Sequence, residues 1–146
     1  MATLATYIAY EGVGSTKTAF EHYRDIFGGE LKVLTYGDVP PMEGMPFTPD
    51  PNSVAHATLE LPGGTIAGGD AMPGESYVVK DTVYSMLYTL DDVEEARGYI
   101  QKMVDGGGSI NMPFEPAPWG GHYGQVFDKF GVMWSFDVGG TDQPQE

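Results

Sequence analysis

Apolar residues in this chain follow two rhythms, and each rhythm occurs twice. Ala19, Phe20, Tyr23, Ile26 and Phe27 recur at helical spacing, with Ser15 as an N-cap before them and Gly28-Gly29 as a stop. Val93, Ala96, Ile100, Met103 and Val104 repeat that stripe, behind a cap at Asp91 or Asp92 and ahead of Gly106-Gly107-Gly108. Glu94 and Glu95 occupy the first turn of the second helix, where the helix dipole favours acids. Gly98 sits in its middle, which either weakens it by about 1 kcal/mol or admits a close neighbour. The second rhythm is alternation. Ser53–Leu61 alternates into Pro62-Gly63-Gly64 and returns as Thr65-Ile66-Ala67, a hairpin. Gly124–Phe127 reaches Asp128-Lys129-Phe130-Gly131 and returns as Val132–Val138, a second hairpin.

These elements keep one order, which makes the chain an internal repeat. A shift of 77 carries Ser15 onto Asp92, Ala19 onto Ala96, Tyr23 onto Ile100 and Gly29 onto Gly106. β-rich runs precede each helix, at 6–10 and 83–88, and follow it, at 31–36 and 109–112. A shift of 67 relates the hairpins, placing Gly64 on Gly131 and Asp70 on Asp137. The difference of ten falls in the connection 37–52, which holds five of the eleven prolines. The order strand, helix, strand, strand, strand is therefore written twice. Neither copy can bury its own sheet face, so the expectation is an α+β fold of two βαβββ modules, about 1–75 and 80–138. Together they form one domain over 1–138, with curled mixed sheets around a shared cavity and a mobile tail at 139–146.

Composition narrows the function. Twenty-one acidic against 7 basic residues give a formal charge of −14, which repels nucleic acid and anionic membranes. With no cysteine there are no disulfides, thiolate metal sites or thiol nucleophiles. No apolar run is long enough to cross a bilayer, and the start lacks the basic residues of a signal peptide. A cytoplasmic globular protein is expected.

The ordered strings Ala19-Phe20-Glu21-His22-Tyr23, Gly28-Gly29-Glu30, His56–Leu61, Asp70-Ala71-Met72-Pro73-Gly74, Trp119-Gly120 and Asp128–Trp134 resemble the vicinal oxygen chelate superfamily of glyoxalases, bleomycin-resistance proteins and dioxygenases, in its PhnB-like branch. The resemblance spans roughly 4–138 and implies the glyoxalase/bleomycin-resistance-like fold. Metalloenzymes of that superfamily place His, Gln or Glu ligands on the first and last strand of each module. Carried over, those places fall on Ile8 (or a neighbour within a residue or two), Gly68, Ser85 and Ser135, none of which offers an imidazole or carboxylate. The resemblance therefore implies no metal and no cofactor here. A methyltransferase label attached to some of the branch finds no support either: Gly28-Gly29 follows a helix and Gly63-Gly64 sits in a hairpin, so neither is a cofactor loop.

The ligand-binding candidates are His56, Asp70, Ser85, Trp119, His122, Tyr123, Trp134 and Ser135. Alternation turns His56 away from the helices, as a ligand contact or as a hydrogen-bonded strand histidine. His122 lies in a glycine-rich segment able to approach a ligand, and His22 is a solvated helix residue. Asp70 is either a cavity carboxylate or the start of a turn over 70–74; Asp137 is expected to be exposed. Trp134 reads as cavity wall or core, Trp119 as a lid or a dimer contact. Ser85 and Ser135 line the pocket as small polar groups, with no base beside them to make a nucleophile. Met42, Met45 and Phe47 need something to cover, the cavity mouth or a second subunit. The leading expectation is a homodimer that binds a small organic molecule without metal, as in sequestration by bleomycin-resistance proteins. The rival is an enzyme, using displaced metal ligands or acid–base work by His56, His122 and Asp70.

Overall fold

The computed structural model describes residues 2, 4–40, 48–72, 82 and 84–139. Its contacts divide the chain into two compact units, Met1–Tyr77 and Val78–Glu146. The expectations for Met42, Met45 and Phe47, for the end of the 70–74 turn and for nearly all of the tail lie outside the described residues.

In the first unit the order is β1 (Thr6–Tyr10), α1 (Ser15–Phe27), β2 (Glu30–Thr35), β3 (Val54–Leu61) and β4 (Gly64–Asp70). The sheet runs β1-β4-β3-β2, with β1 parallel to β4 and the other pairs antiparallel. A helix of 13 residues is marginal alone, so packing holds α1 in place. Ala19, Phe20 and Tyr23 are fully buried, as are Ala57 and Leu59 of β3. The approach is close at Gly68, where an added Cβ would stand 3.0 Å from the Phe20 ring and 3.2 Å from Thr16. Gly68 therefore faces α1, and so do its cross-strand partners Ile8 and Ala57. Tyr7, Ala9, His56, Ala67 and Gly69 take the opposite, helix-free face.

The second unit repeats the plan: β5 (Met86–Leu90), α2 (Val93–Asp105), β6 (Ser109–Pro116), β7 (His122–Phe127) and β8 (Met133–Val138), in sheet order β5-β8-β7-β6. Asp92 caps α2, its carboxylate accepting from the Glu94 N–H at 3.2 Å. Ala96, Ile100 and Met103 are buried with Val126, Trp134 and Phe136. Phe136 stacks on Tyr88 and contacts Tyr99 of α2, which fixes the helix side of β8. Gly98 faces open space rather than a close neighbour. β6 is an edge strand interrupted by two register shifts, one of which accommodates Pro113, while Pro116 ends the strand.

Two sequence expectations are corrected. Ser15 is the first residue of α1, not its cap; the capping position is Gly14 at φ 76°, with no side chain of its own to offer. The repeat also drifts. The buried helix positions keep the shift of 77 (Ala19 on Ala96, Tyr23 on Ile100, Ile26 on Met103), but β1 starts 80 before β5, which begins at Met86 and not at 83. Leu61 pairs with Gly64 across two residues, while the Asp128 N–H bonds the Val132 carbonyl across three. The longer loop puts Gly68 on Phe136 and Ala67 on Ser135. A one-residue slip exchanges the faces of a strand, so Asp70 corresponds to Val138, not to Asp137.

No helix among the described residues is long and apolar enough to cross a membrane.

Candidate functional site

On the helix-free face of the first unit, the His56 ring stacks on Tyr7 with centroids 6.1 Å apart and planes at 26°. Gly69 makes the room: a Cβ there would lie 2.5 Å from the Tyr7 hydroxyl oxygen. Leu34, opposite His56 on β2, is 42% exposed and Tyr7 55%, so the patch is open to a ligand. Burial first, then Tyr36 and the Asp70 carboxylate, push the Tyr7 phenol above its ordinary value and keep it a hydrogen-bond donor.

Asp70 is not on that face. Its carboxylate accepts the Gly14 N–H (2.7 Å) and Val54 N–H (2.8 Å) on one oxygen and the Thr16 N–H (3.0 Å) on the other. The Ser53 and Ser15 hydroxyls add longer bonds at 3.2 and 3.3 Å. Desolvation opposes ionisation here, but the backbone donors Val54, Thr16 and Gly14 outweigh it and hold the carboxyl below its usual range. Asp70 is thus the missing cap of α1, supplied from β4, and it clamps the start of β3 as well. Its position excludes a joint acid–base role with His56, from which the sheet separates it.

In the second unit the helix-free face carries a connected row. Trp119, 56% exposed, meets Tyr123 edge-on at 5.9 Å. The Tyr123 hydroxyl accepts from Gln125 Nε2 at 2.9 Å, and Gln125 Oε1 accepts from Asn111 Nδ2 at 2.7 Å. Gln125 lies opposite Ser135, whose hydroxyl shares a 2.9 Å hydrogen bond with Ser85. Asp137, half-buried, lies opposite Tyr123. The structure thus brings together four sequence candidates, Ser85, Trp119, Tyr123 and Ser135. It adds Gln125 and Asn111, for which the sequence gives only a strand alternation and an edge-strand bulge.

Trp134 and His122 go elsewhere. Trp134 is 1% exposed, and its indole N–H donates to Asp128 at 3.0 Å, so it is core and not cavity wall. Asp128 also accepts from the Phe130 and Val132 N–H groups at 2.8 and 3.0 Å, which shapes the hairpin. His122 stacks at 5.5 Å on Phe114, over which Arg97 of α2 lies at 5.3 Å, placing the imidazole on the helix side. His22 is half-buried beside Tyr23 rather than fully solvated.

A family model described as the glyoxalase/bleomycin resistance protein/dioxygenase superfamily matches residues 12–136. The chain belongs to this superfamily. Protein YjdN of Escherichia coli K12 is 28% identical over 145 residues, covering 92% of this chain and 94% of that protein. Protein PA1353 from Pseudomonas aeruginosa superposes with a TM-score of 0.74 at 26% identity, over 94% of this chain and 99% of that one. A PhnB protein from Bacillus cereus, described as a putative 3-demethylubiquinone-9 3-methyltransferase, shares the fold at 0.71 and 23% identity, over 94% and 99%. A fosfomycin resistance protein, FosX, from Listeria monocytogenes, complexed with Mn(II), shares it at 0.65 and 15%, over 97% and 95%.

That FosX structure holds Mn(II), and a divalent cation needs several convergent nitrogen or oxygen donors. Ile8 and Gly68 face α1, and the Ser85 and Ser135 hydroxyls satisfy each other. On the helix-free faces, the first and last strands present Tyr7, Ala9, Ala67 and Gly69 in one unit and Leu87, Thr89, Ser135 and Asp137 in the other. One carboxylate and no imidazole do not fit a divalent cation. Among the described residues no group of three His, Cys, Asp or Glu side chains could hold a metal.

Proposed function

We propose that this superfamily member binds a small organic molecule on the helix-free face of its second unit, without a resident divalent cation. The observation that supports this is the row Trp119–Tyr123–Gln125, backed by the part-buried Ser135–Ser85 hydroxyl pair, a run of aromatic and uncharged polar groups on β7, β8, the residue before β5 and the loop before β7. Ligand sites combine such an apolar platform with a few fixed polar groups. The Tyr7–His56 pair gives the first unit an aromatic face of a similar kind. In this reading the protein is cytoplasmic and acts by sequestration. It is a homodimer, for which the exposed Ile110 and Met112 of edge strand β6 offer a pairing edge.

Two measurements test the reading. Elemental analysis of the purified protein, followed by titration with Ni²⁺, Fe²⁺, Zn²⁺ and Mn²⁺, should show no stoichiometric metal; one tightly held equivalent refutes the metal-free part. A thermal-shift screen of metabolites and antibiotics should find a stabilising compound, since a ligand at 100 times its dissociation constant adds about 2.7 kcal/mol. Sedimentation at several concentrations reads the dimer.

A further inference from the structure

We infer that the row on the second unit takes a hydroxyl-rich, uncharged ring, a sugar or glycoside, stacked on Trp119. The inference rests on the small-molecule reading above and names the ligand class. Each polar group in the row carries both a donor and an acceptor. With the Asn111–Gln125 and Gln125–Tyr123 bonds made, the row still offers the Asn111 carbonyl oxygen, a second N–H on each amide and the Tyr123 hydroxyl hydrogen. A sugar hydroxyl donates and accepts at once, so it matches that mixture. A carboxylate or phosphate needs donors and positive charge. Among the described residues of this unit, Arg97 and Lys102 are on α2, and Lys129 lies in the hairpin over Phe130. Asp137, opposite Tyr123, repels an anion and accepts well from a hydroxyl.

An organic cation fits less well, because it would leave the two amide N–H donors desolvated and unused. The platform completes the match. Trp119 is more than half exposed and set edge-on to Tyr123, so one indole face stays open for the C–H face of a pyranose.

The experiment titrates the full chain with methyl α-D-glucopyranoside, methyl α-D-mannopyranoside, methyl β-D-galactopyranoside and cellobiose, reading tryptophan fluorescence and saturation-transfer NMR. Trp134 is buried, so the fluorescence change reports Trp119. At least one saccharide should bind saturably, and Gln125→Leu should weaken it about tenfold through loss of hydrogen bonds. Trp119→Ala should abolish it; near-UV circular dichroism of Trp134 checks that both variants fold. Glucuronate should bind more weakly than the neutral sugars. No response to any saccharide up to its solubility limit overturns the inference, as does a response that Gln125→Leu leaves intact. If tetramethylammonium or a screened metabolite quenches Trp119 while no saccharide does, the sugar assignment falls and the small-molecule reading stands. Silence from every compound overturns both.

Discussion

Replacing Asp70 by Asn is the sharpest probe of how the first unit is held together. The carboxylate serves three backbone N–H groups, on Gly14, Thr16 and Val54. Asn keeps one acceptor oxygen. Aimed at Gly14 and Val54, it retains two bonds but loses their charge assistance, about 1 kcal/mol each. Its amide then faces the Thr16 N–H, which loses its partner at about 1–3 kcal/mol. The sum is about 3–5 kcal/mol, trimmed to about 3 because the group is only half-buried, and it corresponds to a melting shift of about 10 °C. Chemical denaturation at neutral pH measures it. The pH dependence supplies a second reading. Because the folded pKa is depressed, the native state binds this proton less readily than the unfolded chain. The stabilisation is complete above the unfolded value of about 3.9 and disappears as pH falls through the lower folded value. Wild type should lose stability more steeply than Asp70→Asn across that acid window. A loss below about 1 kcal/mol at neutral pH, or parallel acid profiles, would refute the clamp.

Three further substitutions test the packing. Gly98→Ala should stabilise the protein by up to about 1 kcal/mol in urea titration, since α2 has open space there; destabilisation would mean a neighbour is present. Gly68→Ala should destabilise by about 2 kcal/mol or more, because its Cβ would come 2.6 Å from the Ile8 carbonyl oxygen of β1 and 3.0 Å from the Phe20 ring of α1; an unchanged midpoint would show that β1 and α1 do not crowd this position. Asp128→Ala removes the acceptor for two backbone N–H groups and the Trp134 indole, so about 3 kcal/mol should be lost with a change in near-UV circular dichroism. An unaltered Trp134 spectrum would contradict that buried bond.

The elements were largely legible in the sequence because they rest on periodicity. The stripe from Ala19 to Phe27, the cap at Asp92 and the alternation of β3 all appear where the pattern puts them. His56 turned away from the helix follows from the same alternation. The site was less legible, for two physical reasons. A remote group can replace a local one, as when Asp70 caps a helix that begins 55 residues earlier, at Ser15. No local pattern announces that. Short segments also carry little information about which side of a sheet they present. Trp134, the second residue of β8, satisfies its indole on the helix side, and His122 finds Phe114 there. Gln125 and Asn111 attract no notice as residue types, and only strand pairing brings them to Tyr123.

The additional residue in the 129–131 loop has a practical consequence for engineering and for comparing relatives. A graft that copies β4 onto β8 by counting from the hairpin tips would deliver its functional groups to the wrong surface. Gly68 would replace Ser135, leaving a hole where a hydroxyl stood, and Asp70 would replace Asp137 without the helix N-terminus it normally serves. Transfers between the halves must therefore be registered on the parallel partner strands, Thr6 with Ile66 and Met86 with Trp134.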